Sequence, residues 1–163
     1  TGQILMSNAE QALYDSLKAI FLHIDNHEKA FLSRFGLTIP RFFVLMHLHN
    51  HPQINYIELS DLLLCTKSNT TRVVQGLLAE GILTRQVHPD DRRAYQLSLS
   101  PKGQKILDEV LPEYEALVSG LMEPFSEQEV KRYTKVSKHI ENTLAPKNTT
   151  ARYGGNNGDQ EGG

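Results

Sequence analysis

The run "LSDLLLCTKSNTTRVVQGLLAEGILTRQVHPDDRRAYQLSLSPKG", Leu59 to Gly103, changes its hydrophobic period midway, and that change decides the fold. In "KSNTTRVVQGLLAEG" the apolar residues keep helical spacing. At about 100° per residue, Thr70, Val73, Val74 and Leu77 gather on one side and Ser68, Asn69, Arg72, Gln75 and Gly76 on the other. Thr66 stands where a cap is expected, and Gly81 where a left-handed residue ends a helix. The period then falls to two. "ILTRQV" and "AYQLSLS" predict paired strands, the second alternating Tyr95, Leu97 and Leu99 with Gln96, Ser98 and Ser100. Between them lies a loop, His88 to Arg93, longer than a tight hairpin needs and crowded with Asp90, Asp91, Arg92 and Arg93. Ser100 and Pro101 fit the cap and first position of another helix.

Outward from this run the chain is helical. Leu13, Leu17, Ile20 and Ile24 form one stripe of a long first helix. "LTIPRFFVLMHLHNHP" predicts a second helix capped by Thr38 and stopped by His51 and Pro52. In "NYIELSDLLL", Asn55 and Glu58 have capping-box spacing for a short third helix. After the hairpin, Leu107, Val110, Tyr114, Leu117, Val118 and Leu121 continue a stripe past Pro112, where a kink is expected. Ser126 and Glu129 make a full capping box for a last helix carrying Val130, Tyr133, Val136, Ile140 and Leu144. The ending "ARYGGNNGDQEGG" has too few apolar groups to offset the entropy of ordering, so residues 146–163 are expected to be a disordered tail. No internal repeat is present.

A chain of 163 residues, 39% hydrophobic, can bury one sizeable core but hardly two full domains. Its formal charge of -2 points neither to nucleic acid nor to a membrane. The distribution is less neutral. Between Ile57 and Lys105 seven bases meet five acids, a local +2 that leaves -4 for the remainder, and such asymmetry can mark a face meant for a polyanion. The single cysteine, Cys65, rules out an internal disulfide, and no apolar run is long enough to span a membrane. A reducing cytoplasm and no membrane partner are the expectation.

Three consecutive helices followed by a two-stranded hairpin describe a winged helix-turn-helix, in which one helix enters the major groove of DNA and the hairpin loop reaches sideways. The run from Leu59 to Gly103 resembles the core of the MarR family, the multiple-antibiotic-resistance regulators. That family's signature is an Asp-x-Arg in the wing, then a Leu-Thr and, three residues later, a Gly. Asp91, Arg93, Leu99 and Gly103 match it, while Ser100 replaces the usual Thr and keeps the hydroxyl. "TRVVQGLLAEGILTR" is similar to the family's recognition helix and following turn, and the likeness extends over residues 5 to 144. It implies a homodimeric, mostly α fold whose terminal helices form the dimer interface. The expected organisation is an N-terminal dimerisation helix (1–35), a winged helix-turn-helix DNA-binding domain (36–103), C-terminal dimerisation helices (104–145) and the tail (146–163). The surplus apolar stripes at both ends support a partner subunit independently.

Arg72, Ser68, Asn69 and Gln75 suit the reading of base edges, Arg for guanine and Asn or Gln for adenine. Lys67 and Thr71, at the flank of that face, suit phosphate contact. The bland alternative is a solvated helix face, but such faces favour Glu and Lys pairs, and this one is polar, small and mostly uncharged. In the loop, Arg93 is expected to enter the minor groove, Arg92 to meet a phosphate and Asp91 to pair with an arginine and hold the loop's shape.

The resemblance also implies a ligand cleft between the dimer helices and the winged domain. Its walls would include Phe21, Phe42, Phe43, Met46 and Tyr114, suited to a small hydrophobic or aromatic effector. The function expected is a ligand-releasable repressor that binds a palindromic double-stranded DNA operator as a homodimer. A redox- or metal-responsive member of the same family and a winged-helix protein-protein adaptor are the alternatives.

Cys65, among Leu62, Leu63 and Leu64, is expected to be an inert core thiol. Relatives that sense peroxide do so through a cysteine near the first helix, so that role does not carry to Cys65. His47, His49 and His51 alternate and cannot all face one ion, whereas His23 and His27 are one turn apart and can share a metal. Zinc-responsive relatives place histidines on the helix after the wing, and residues 104–122 contain none, so no metal site is expected. No GxSxG, HExxH or phosphate loop occurs; neither an enzyme activity nor a cofactor is expected.

Overall fold

The computed structural model describes residues 7–52, 54–64, 67–87 and 95–145. The expectations for Cys65, Thr66, the wing residues Asp91, Arg92 and Arg93, and the tail lie outside the described residues.

Within these, six helices and one two-stranded sheet follow in order: α1 (Asn8–Ser33), α2 (Ile39–Asn50), α3 (Tyr56–Leu62), α4 (Lys67–Ala79), β1 (Leu83–Val87), β2 (Tyr95–Leu99), α5 (Pro101–Met122) and α6 (Glu127–Leu144). The chain divides into two compact units, Thr1–Tyr114 and Glu115–Gly163. α1 to α4, the hairpin and the start of α5 belong to the first, and the rest of α5 with α6 to the second.

The ends of the elements follow from their capping chemistry. Three helices open on reciprocal capping boxes, Ser7 with Glu10, Asn55 with Glu58 and Ser126 with Glu129, each satisfying two amides that the first turn leaves unpaired. These hydrogen bonds hold the carboxyls of Glu10 and Glu129 below their ordinary pKa. Thr38 differs from expectation. It occupies the cap position of α2, but its side chain makes no capping bond, and Pro40 in the first turn removes one of the amides it would have served. α1 and α4 both end on a left-handed glycine: Gly36 (φ 66°) lets Leu37 N–H reach the Leu32 carbonyl, and Gly81 (φ 69°) lets Ile82 N–H reach that of Leu77. α5 continues as helix through Pro112 to Met122, so the proline does not end it.

β1 and β2 pair antiparallel with Leu83 opposite Leu99, Arg85 opposite Leu97 and Val87 opposite Tyr95. The core of the first unit is built on α2, whose Phe42, Val44 and Leu45 have no exposed surface, joined by Leu32, Leu59, Leu77 and Leu107. Truncating Phe42 to alanine in such packing costs about 3–5 kcal/mol. In the second unit α6 has no buried residue, and Val130, Tyr133, Val136 and Leu144 stand exposed along it.

Ser100 joins the hairpin to the helices. Strand alternation puts it on the outward face, but it is buried, because the strand has ended and the residue caps α5. Its hydroxyl accepts from Gly103 N–H at 3.0 Å and lies 2.6 Å from the Gly81 carbonyl and 2.9 Å from that of Ile82. α5 approaches so closely here that a Cβ on residue 103 would sit 2.2 Å from the Ile82 carbonyl oxygen, which is why the position is glycine.

Candidate nucleic-acid interface

α4 is held by its inward stripe. Thr70, Val74 and Leu77 are buried, Val73 is half-buried, and Ser68, Arg72 and Gln75 are exposed, as the helical period predicts. Lys67 is exposed at its first turn, and Asn69 is half-buried beside Arg72, whose guanidinium donates to Asn69 Oδ1 at 3.0 Å. That bond limits the freedom of the arginine before any ligand arrives. Thr71 is placed otherwise than as a simple phosphate donor. Its hydroxyl donates to the Lys67 carbonyl at 2.8 Å and is hydrogen-bonded to Tyr56 Oη, so it fastens α4 to α3.

The far end of α4 is clamped by residues that sequence reasoning missed. Arg41 of α2 forms an ion pair with Glu80 and lies against Gly76, where an added Cβ would be 3.6 Å from its Nη2. Lys102 Nζ donates to the Glu80 carbonyl at 2.9 Å, placing a cation at the negative end of the helix dipole. Gly76, expected on the solvent side, is thus half-covered by Arg41. An unpaired Arg at the start of a buried helix was the signal available in the sequence.

Between α3, α4 and the hairpin lies a groove of about 430 Å³. Thr71, Val74 and Gln75 form one wall, and Arg85, Tyr95 and Leu97 the other.

The residues expected to line a ligand cleft are only partly brought together. Tyr114 lies 4.6 Å from Phe42, 6.2 Å from Phe43 and 6.2 Å from Phe31, measured between ring centroids, and its hydroxyl donates to Glu28 Oε1 at 2.8 Å. Burial, then the hydrogen bond and negative charge of Glu28, raise the Tyr114 pKa above its ordinary value, so the phenol stays protonated. Phe43 and Met46 are half-buried. Phe42 has no exposed surface and serves as core, because α2 is the central helix of its unit and buries more than one face. Phe21 is 63% exposed on α1 and makes no ring contact with this cluster among the described residues. His47 packs 6.1 Å from Phe43, and desolvation, then repulsion from His51, lower its pKa.

Three packed helices, the last with a polar, mostly uncharged outer face that carries Arg72, and a hairpin beside them define a winged helix-turn-helix protein. Residues 37–95 match the MarR family. An uncharacterized HTH-type transcriptional regulator of Bacillus anthracis is 30% identical over 122 residues, 72% of this chain and 81% of the relative. The HTH-type transcriptional regulator MhqR of Bacillus subtilis (strain 168) is 25% identical over 135 residues, 83% of this chain and 93% of MhqR. The fold is shared with MepR in the crystal structure of the S. aureus MepR-DNA complex: TM-score 0.73, 15% identity, 85% of this chain and 97% of that one. The chain belongs to the MarR family of helix-turn-helix transcriptional regulators, which are not enzymes.

Proposed function

We propose that the protein is a homodimeric repressor that binds a palindromic DNA operator and is released by a small hydrophobic or aromatic effector. The observation that carries this reading is α4: buried on one side, fastened at both ends to α2 and α3, and presenting Arg72 and Gln75 to solvent. A rigid helix with these side chains is what direct readout in the major groove requires. Ser68 and Asn69 extend the base-reading face, and Lys67 supplies a phosphate contact. MepR, which shares the fold, has been solved bound to DNA.

Dimerisation is supported by the apolar side chains left exposed on α1, among them Leu13, Ile20, Phe21 and Ile24, and by those on α6. Effector binding is supported by Phe43, Met46 and Tyr114, half-buried beside an aromatic cluster. An effector that prefers a dimer with a different spacing of its two recognition helices weakens operator binding by that difference in affinity.

In the wing, Arg93 reaches the minor groove, Arg92 meets a phosphate, and Asp91 orients an arginine. Gel-shift titration of operator fragments tests the whole reading. Arg93→Ala weakens binding by roughly 1 to 3 kcal/mol while folding and dimerisation persist. Asp91→Ala weakens it too, although removing a negative charge beside DNA should by simple electrostatics strengthen it. Tighter binding by Asp91→Ala together with an unchanged Arg93→Ala would refute the wing's part in the mechanism. A protein that shifts no genomic fragment would refute the rest.

A further inference from the structure

The inward face of the hairpin carries an arginine. Strand alternation puts Leu83, Arg85 and Val87 on one face of β1, and the register sets them against Leu99, Leu97 and Tyr95. Leu83 and Leu97 are buried, so this face turns toward the core. Arg85 is nevertheless exposed, its guanidinium lying over the Tyr95 ring at 3.4 Å from the centroid, a diagonal cross-strand pair. Among the described residues no carboxylate pairs with it. A cation on the core-facing side of a sheet is costly unless its head keeps water or a partner. The tyrosine occupies one flat face of the guanidinium, and its in-plane N–H donors are fixed in direction.

Those donors border the groove between α4 and the hairpin, opposite Thr71 and Gln75. Arg85 is the one charged side chain among the described residues lining it, so the groove is complementary to an anion. A duplex supplies that anion by geometry. When a helix lies in the major groove and a wing reaches the neighbouring minor groove, one sugar-phosphate strand separates the two grooves and must cross between helix and wing.

We propose that this groove is a phosphate clamp for that strand. Arg85, held flat by Tyr95, takes one backbone phosphate with two N–H groups, facing the α4 wall of the groove. The inference rests on the DNA-binding reading above and adds to it a contact that carries no base information. Arg85 therefore sets affinity and register, whereas Arg72 sets sequence preference.

The test uses the full chain with two duplexes of equal length, one recovered by selection from random DNA and one of random sequence, titrated over a range of salt. Arg85→Ala is expected to weaken both by the same factor, roughly tenfold, leave their ratio unchanged and lower the salt slope by about one counterion per protomer. Tyr95→Ala is expected to lose affinity although the charge at Arg85 remains. Methylphosphonate substitution, one phosphate at a time, should find a position in each half-site whose neutralisation weakens wild type but not Arg85→Ala. Should Arg85→Ala fail to fold, the same scan with Arg85→Lys decides: the clamp predicts that neutralisation costs Arg85→Lys less than wild type.

Unchanged affinity and slope in Arg85→Ala, or loss confined to the selected duplex, overturns the proposal. So does an Arg85→Ala variant that keeps DNA binding but loses calorimetric binding of inorganic phosphate, since the groove would then hold a free anion. If Arg72→Ala loses sequence preference while Arg85→Ala is silent, the clamp alone fails. If wild type binds neither duplex, the DNA-binding reading fails with it.

Discussion

At Ser100 and Gly103 two residues close the joint between α4, the hairpin and α5. The serine hydroxyl is buried, accepts from Gly103 N–H and reaches two carbonyls at the end of α4. Ser100→Ala should lower stability by about 1–3 kcal/mol in chemical denaturation, because those buried groups lose their partner. Ser100→Thr should keep most of it. Gly103→Ala should cost more than Ser100→Ala, since its Cβ meets the rigid Ile82 carbonyl oxygen rather than a movable side chain. The spacing of Ser100 and Gly103 was legible as a family pattern. Its cause, a carbonyl some twenty residues upstream, is a tertiary contact that no local pattern reveals.

A second residue-scale consequence concerns acid. His47 sits at the end of α2, where the helix dipole favours a proton, yet desolvation and His51 outweigh it and lower its pKa. The unfolded chain therefore binds a proton at a pH where the folded chain does not. Stability from this group is complete above the unfolded value, about 6.5, and is lost as pH falls through the lower folded value. The melting temperature should fall between pH 7.5 and 5.5, and His47→Gln should flatten that dependence. An identical pH profile in both proteins would remove His47 as the cause.

Among the elements, α1 and α6 are the least accounted for by the folds of their own units. Leu13, Ile20 and Ile24 stand exposed on α1, as do Val130, Tyr133 and Val136 on α6. A pair of charges on the α1 stripe, Leu13→Glu with Ile20→Glu, should yield a monomer by sedimentation and abolish operator binding, while the hairpin unit keeps its far-ultraviolet dichroism. The sequence carried these stripes, the capping boxes at Asn55 and Ser126 and the glycine stop at Gly81, because each depends on neighbours within one turn or two; the Ser7 box and the stop at Gly36 emerged only from the structure. The sequence did not carry the silent cap at Thr38, where Pro40 in the first turn removes an amide the cap would have served; the continuation of α5 past Pro112 is expected and found.

For the molecule as a whole, the outer face of α4 was legible from residue type and period, but the groove beside it was not. Arg85 breaks the apolar alternation of Leu83 and Val87, and that break was the available signal; its meaning depends on Tyr95 across the sheet and Gln75 across the groove. The aromatic cluster shows the opposite case, for Phe42 has the chemistry of a ligand wall and the burial of a core residue. In the proposed function two copies of α4 read DNA together. Selection of bound sites from random duplexes by the full chain is the decisive measurement: an enriched inverted repeat is expected, its half-sites about one helical turn, or 10 base pairs, apart on one side of the duplex. An unenriched pool, or a lone half-site without symmetry, would contradict it.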